Sequence, residues 1–215
     1  MANIWLTGVE ITTAPEVAAV VRPVWCAAGP VAVVERDPRL DGPLAEAAEA
    51  MRGATVTADI TAAVRAMYKR VGIDPTKTRP SSEALLRRVR KGDGLPRINR
   101  LGDIINWCSL ESQLPFGLYD LDRIQGPITL RLGLDGEEYA GIRKDAVHVA
   151  GRLTLSDAVG PFGNPTSDSA RTMVTPASSR VLVVIFAPVE VPAIVADRAM
   201  NRTRERLARF AAIPS

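Results

Sequence analysis

The chain has 215 residues, 47% of them hydrophobic and 24% charged, with 27 basic against 24 acidic side chains. That composition excludes a disordered, collagen-like or coiled-coil protein, and the length suits one domain of ordinary size. The longest apolar run, residues 181–188, falls far short of the roughly 20 residues that span a membrane. The opening Met1-Ala-Asn-Ile-Trp has no basic leader, and two cysteines, Cys26 and Cys108, are too few for a disulfide framework or a zinc site. The expectation is a reduced, cytoplasmic protein without membrane association.

In chain order, residues 4–11 alternate loosely and predict a first strand, residues 15–28 a helix, and residues 30–35 a short strand. Residues 43–51 predict a helix with Asp41 as cap and Gly53 as stop. Ile60, Val64, Met67 and Val71 fall at i, i+4, i+7 and i+11, one apolar stripe of a helix that Gly72 ends. Two prolines make residues 74–80 a loop. Ser81 is expected to cap a helix through Arg90 with Leu85, Leu86 and Val89 facing inward. Ile98, Leu101, Ile105 and Cys108 mark a further helix ending near Ser112.

Beyond it, residues 115–180 are dense in Gly, Pro and Asp, with β-like runs at 128–132, 139–142, 147–155 and 172–175. The apolar run 181–187 predicts a central strand, and residues 191–211 a helix with Arg198, Arg202, Arg206 and Arg209 on its outer face. Helices first and strands later, without a βαβ rhythm, predict an α+β fold in a single domain, with a mixed or antiparallel sheet packed with helices.

Charge is uneven. Residues 61–102 hold eleven Lys or Arg and three acids, +8, which leaves −5 for the rest. Such a segment suits a phosphate backbone, and it equally describes solvated helix faces rich in arginine. Enzyme motifs are scarce: the chain has no Gly-rich phosphate loop, HExxH or GxSxG, and its one histidine, His148, lies in a strand-like run. Neither a metal nor a cofactor is expected.

Two polar stretches stand out. Asn99, Asp103 and Asn106 share one helical face, as pocket groups or as caps and buried hydrogen-bonding residues. The loop Gly160-Pro-Phe-Gly-Asn-Pro-Thr-Ser-Asp-Ser-Ala-Arg-Thr-Met-Val-Thr175 gathers Asn164, Asp168, Arg171 and Thr172, enough to surround a small ligand or to make an ordinary surface loop.

The ordered set Gly72-Ile-Asp-Pro-Thr-Lys-Thr-Arg-Pro-Ser-Ser-Glu-Ala-Leu-Leu-Arg-Arg, Asn99-Arg-Leu-Gly-Asp-Ile-Ile-Asn106, Leu114-Pro-Phe-Gly-Leu-Tyr-Asp-Leu-Asp122 and Arg131-Leu-Gly-Leu-Asp-Gly-Glu-Glu138 resembles the tRNA-binding and editing domain of the phenylalanyl-tRNA synthetase beta subunit. It looks most like the freestanding bacterial proteins made of that domain alone, over about residues 60–188. The resemblance implies an α+β fold and hydrolysis of the ester between a wrong amino acid and tRNA. That reaction needs neither a metal nor a protein nucleophile.

Asn106 falls on an asparagine of the synthetase pocket and Pro115 on a proline of its wall. Gly117 stands where the synthetase has a histidine, and Val183-Val-Ile-Phe lacks the glutamate of its last pocket strand. Asp168 and Asp157 are expected to supply the missing carboxylate, and with Asn106 they are the candidate catalytic residues. Asn164, Arg171, Thr172, Pro115 and Gly117 are the candidate substrate contacts, with Arg171 steadying Asp168 or holding the terminal phosphate. Arg79, Arg87, Arg88, Arg90 and Lys91 would contact the tRNA acceptor end. The implied partners are tRNA and an aminoacyl-tRNA synthetase. A non-catalytic tRNA- or RNA-binding module, or a binder of amino-acid-like small molecules, is the alternative.

Overall fold

The structure is a computed structural model that describes residues 3–55, 58–142 and 146–213. Its centre is an antiparallel sheet in the order β1 (Trp5–Leu6), β3 (Val21–Ala28), β11 (Val181–Pro188), β4 (Phe116–Asp120). Every residue of β11 is buried, which is why its sequence is a continuous apolar run rather than an alternating one. The second sheet runs β10 (Ser167–Asp168), β9 (Gly160–Asn164), β8 (Leu153–Asp157), β5 (Ile128–Leu132), β2 (Ile11–Thr13). It is mixed, since β2 pairs parallel to β5 and the other pairs are antiparallel. A two-stranded ribbon, β6 (Glu138–Ala140) and β7 (Ala146–His148), stands beside it.

The helices are α1 (Pro15–Ala18), α2 (Asp41–Gly53), α3 (Ala58–Arg70), α4 (Ser81–Arg90), α5 (Arg100–Ser112) and α6 (Ala193–Phe210). Helices α2, α4 and α5 pack on one another, and α6 joins α5 to the first sheet. The buried positions of α6, Ala196, Ala199, Met200, Thr203, Leu207 and Phe210, follow the 3.6-residue period and leave Arg198, Arg202 and Arg209 outside, whereas Arg206, expected on the same outer face, is drawn in against Trp107 of α5. In the α3 stripe Val64, Met67 and Val71 are buried and Ile60 is half-buried. Gly72 then takes φ +77, and a Cβ there would strike the Gly151 carbonyl, so only glycine can make this turn. The fold is α+β, and no helix among the described residues is long and apolar enough to cross a membrane.

Several local expectations differ from the structure. The expected strand over 4–11 is instead divided between β1 and the start of β2, which lie in different sheets, with Gly8 at φ +82 between them. Only Pro15–Ala18 of the expected first helix is helical. Val21, Pro23, Val24 and Trp25 make β3 instead, because proline and β-branched residues disfavour a helix interior and suit a sheet. Strands therefore precede the helices, and the central sheet is assembled from both ends of the chain. Residues 30–35 supply only an isolated bridge from Val31 to Ala212.

The residue flanking α2 is Leu40 rather than Asp41, which lies inside the helix, and the residue flanking α4 is Pro80 rather than Ser81. Residues 147–155 divide between β7 and β8, and residues 172–175 form no strand. They are a loop fastened by Ser169 to Thr172 (2.9 Å) and by Ser178 to the Thr175 amide (3.0 Å).

Candidate functional site

Strand β4 lies at one edge of the first sheet and β10 at one edge of the second, and the two edges meet. At this seam, against α5, opens a cavity of about 700 Å³. Its α5 wall is made by Asn99, Gly102, Asn106 and Ser109, at i, i+3, i+7 and i+10, so one helix face runs the length of it. Local sequence explains the setting. Gln113 adopts φ 58 at the C-terminus of α5 and turns the chain through Leu114 and Pro115 into β4, which brings Phe116 and Leu118 to the opposite wall. Ile98, Ile105, Ile142, Met173 and Val174 complete the apolar lining, and Asn164, Thr166, Ser167 and Asp168 the polar side.

Asp168 is the distinctive group. Protein surrounds its carboxyl closely while the cavity leaves the residue half-exposed, and burial pushes its pKa from 3.8 up to about 7. The Tyr119 hydroxyl and the Leu118 backbone N–H favour the charged form and withdraw part of that shift. No cation among the described residues pairs with it, so near neutral pH a partly ionised carboxyl faces the cavity. A raised carboxyl in a cavity of about 700 Å³ is the pattern of a functional group rather than of a structural ion pair.

Asn164, 3% exposed, accepts hydrogen bonds through its side-chain oxygen from the Thr166 amide (2.8 Å), the Thr166 hydroxyl (2.7 Å) and the Ser167 amide (2.9 Å). It thereby fixes the turn that delivers Ser167 and Asp168 to the seam. Asn106 is half-buried in the cavity wall, and its side chain bonds to none of the described residues. Its two neighbours on α5 are structural. Asn99 caps the helix at Gly102 (2.9 Å), and Asp103, 1% exposed, binds the Ile98 amide and the Arg97 guanidinium (2.8 and 2.7 Å).

The other candidates lie off the cavity. Asp157 faces Arg171 in a bidentate pair (2.9 Å each) and accepts from the amides of Gln125, Val159 and Gly160. Burial alone would raise its carboxyl, but Arg171 and these amides outweigh that and hold it below the usual 3.8. Arg171 thus steadies Asp157 and not Asp168. Thr172, fully buried, closes a turn with Ser169. Pro115 is buried, and its carbonyl accepts from Phe186 (3.0 Å).

Gly117 is also buried, and a Cβ built on it would fall inside the Tyr119 hydroxyl; one on Gly163 would collide with the same ring. Tyr119 therefore fills the space that a larger side chain at 117 would need. The sequence alone does not single out this residue, although Gly117 and Tyr119, two apart on one strand, project on the same face.

The basic segment is more committed than its count suggests. Arg79 pairs with Glu83 (3.3 Å), Arg88 bonds the Gly94 carbonyl (2.7 Å), and Arg90 bonds the Ala54 carbonyl (3.0 Å). Arg87 and Lys91 are exposed, and neither has an acidic partner among the described residues. Ser81 lines the cavity, so these two cations stand about 9 to 15 Å further along α4.

A smaller cleft, about 200 Å³, lies between α5 and α6. There Arg206 stacks 3.5 Å over Trp107 and bonds Glu111 (2.7 Å). Burial pushes the Cys26 thiol up to about 11 and raises Cys108 as well, so neither is poised as a thiolate. His148 is exposed beside Glu138 and away from the cavity.

A family model described as the B3/4 domain matches residues 63–211, more than half of the chain. Among solved structures, the chain is similar to an N-terminal fragment of the phenylalanyl-tRNA synthetase beta subunit from Pyrococcus horikoshii. The identity is 13% and the TM-score 0.49, over 98% of this chain and 51% of that one, so this chain spans about half the fragment's length. Comparison with curated protein sequences gives no match.

Proposed function

The chain belongs to the B3/4 domain family, and from that premise we propose that it is a trans-acting aminoacyl-tRNA deacylase, a single editing domain that removes a wrong amino acid from tRNA in the cytoplasm. The observation that carries this reading is Asp168, a carboxyl without a cationic partner among the described residues, in a cavity of about 700 Å³. A cavity of that size accommodates an amino acid with its attached ribose. The resemblance of the motifs between residues 60 and 188 to the synthetase editing domain points the same way.

In this reading the Asp168 carboxylate receives the ammonium of the aminoacyl group by a charge-assisted hydrogen bond. The side chain of the amino acid lies against Phe116, Leu118 and Ile105. Asn106, with its amide uncommitted, orients a water at the ester carbonyl. Water adds to that carbon, the bond to the ribose oxygen breaks, and the ribose oxygen takes the proton; the products are the free amino acid and uncharged tRNA. Asn164 acts through the turn it fixes. Arg87 and Lys91 contact phosphates of the acceptor stem, about one helix length from the cavity.

The test is hydrolysis of a panel of mischarged tRNAs by the purified chain beside Asp168→Asn. One or a few substrates should be hydrolysed, with a loss of about 100-fold or more in the variant. The second reading, a tRNA-binding module without catalysis, is favoured by Arg87 and Lys91, exposed and without an acidic partner among the described residues. No hydrolysis of any substrate, with salt-sensitive tRNA binding intact, would replace the first reading by this one.

A further inference from the structure

Two tyrosines feel the charge of Asp168, and they are differently employed. Tyr139, on β6, spends its hydroxyl on the Ser167 carbonyl (2.6 Å). Tyr119, on β4, is fully buried, its ring set edge-on to Phe162 with centroids 5.1 Å apart. The ring passes between Gly117 and Gly163, where no Cβ could stand. Its hydroxyl has no hydrogen-bond partner at close range among the described residues. Buried polar groups are rarely left unpaired, and an orphan of this kind calls for an explanation. After burial itself, the strongest influence on that hydroxyl is the charge of Asp168.

We propose that Tyr119 is a positioning residue, whose hydroxyl, led through the slot between two glycines, donates to one oxygen of the Asp168 carboxylate and leaves the other turned to the cavity. The Leu118 backbone N–H also supports this carboxylate, and the tyrosine hydroxyl adds the side-chain donor that fixes its torsions. The arrangement also accounts for Gly117 and Gly163 together, since a side chain at either would displace the ring. Its meaning for substrate rests on the deacylase reading; the hydrogen bond itself does not. Among the described residues, the titratable groups facing Asp168 are Tyr119 and Tyr139. Strand β9 contributes none, and Arg171, nearby in sequence, is held by Asp157.

The experiment follows the aspartate carboxyl carbons by NMR against pH, with no substrate present, and Asp168→Asn identifies the resonance. The wild-type midpoint should fall near 7. Tyr119→Phe, which keeps the ring, should raise it by about one pH unit, a tenfold change in ionisation constant. Tyr139→Phe should leave it in place, and thermal midpoints report any packing defect separately. An unchanged midpoint in Tyr119→Phe, or an equal shift in Tyr139→Phe, overturns the proposal.

The wild-type protein gives a second readout that does not depend on the Phe variant folding. The Tyr119 hydroxyl proton should be visible and slowly exchanging, and should vanish in Asp168→Ala, which removes the acceptor; a signal indifferent to that change contradicts the proposal. Because neither measurement uses tRNA, failure of the deacylase reading and failure of the Tyr119 hydrogen bond are distinguishable.

Discussion

The turn joining β8 to β9 and the short strand β10 each carry an aspartate, and the two are treated in opposite ways. At the turn, Asp157 receives a bidentate arginine and three backbone amides, and its carboxyl is held below 3.8. On the strand, Asp168 receives no cation among the described residues, and its carboxyl is pushed to about 7. A carboxylate whose lone pairs are all engaged holds a loop; one kept buried and short of partners is free to bind something else. The price of the second arrangement is stability, because an underpaired carboxyl resists ionisation inside a protein.

The largest expected break in this contrast is Arg171→Ala. It leaves the Asp157 carboxylate, whose side chain is 0% exposed, without its cation. Arg171 itself is 29% exposed, so the loss should be at the lower end for a broken buried pair, about 2 to 3 kcal/mol in chemical denaturation. Hydrolysis per folded molecule should change by less than a few-fold. If activity falls while stability holds, the roles assigned to the two aspartates are reversed.

A smaller effect sharpens the same contrast through pH. Asp157, with a depressed folded value, contributes stability that is complete above about pH 4 and lost as pH falls below it. Asp168, with a raised folded value, contributes stability that is present below about pH 4 and lost as pH rises to about 7. Asp168→Asn should therefore gain on the wild type through that window, most at pH 7 and above. A difference independent of pH would mean that the carboxyl is not raised.

The smallest effect concerns the surface. Arg87→Glu with Lys91→Glu should weaken tRNA binding and flatten its salt dependence by roughly 0.7 to 0.9 in log–log slope for each phosphate no longer neutralised. Arg88 and Arg90 already bond backbone carbonyls, so reversing those two should disturb the fold as well as binding.

How much of this was legible in the sequence depends on range. The strand β11 and the stripes of α3 and α4 announce themselves because burial repeats at short spacing. The strand β3 does not: Val21–Ala28 follows a helical turn, and only its pairing with a strand some 160 residues away settles its state. Asp168 and Asn164 could be picked from a polar loop, but which aspartate Arg171 would take was a question of strand register. Tyr119 was hidden for a similar reason. Its significance lies in two glycines, one beside it in sequence and one on β9, and only the folded chain brings Gly163 to its ring.

The most direct test of the central claim is the single-turnover rate of hydrolysis of a mischarged tRNA, measured from pH 5 to pH 9 for the wild type and Asp168→Asn, on the scale set by the Asp168 value of about 7. The account predicts a wild-type rate that rises through about pH 7 and levels off, with a slow variant that lacks the inflection. A variant that hydrolyses as fast as the wild type, with the same inflection, would contradict it.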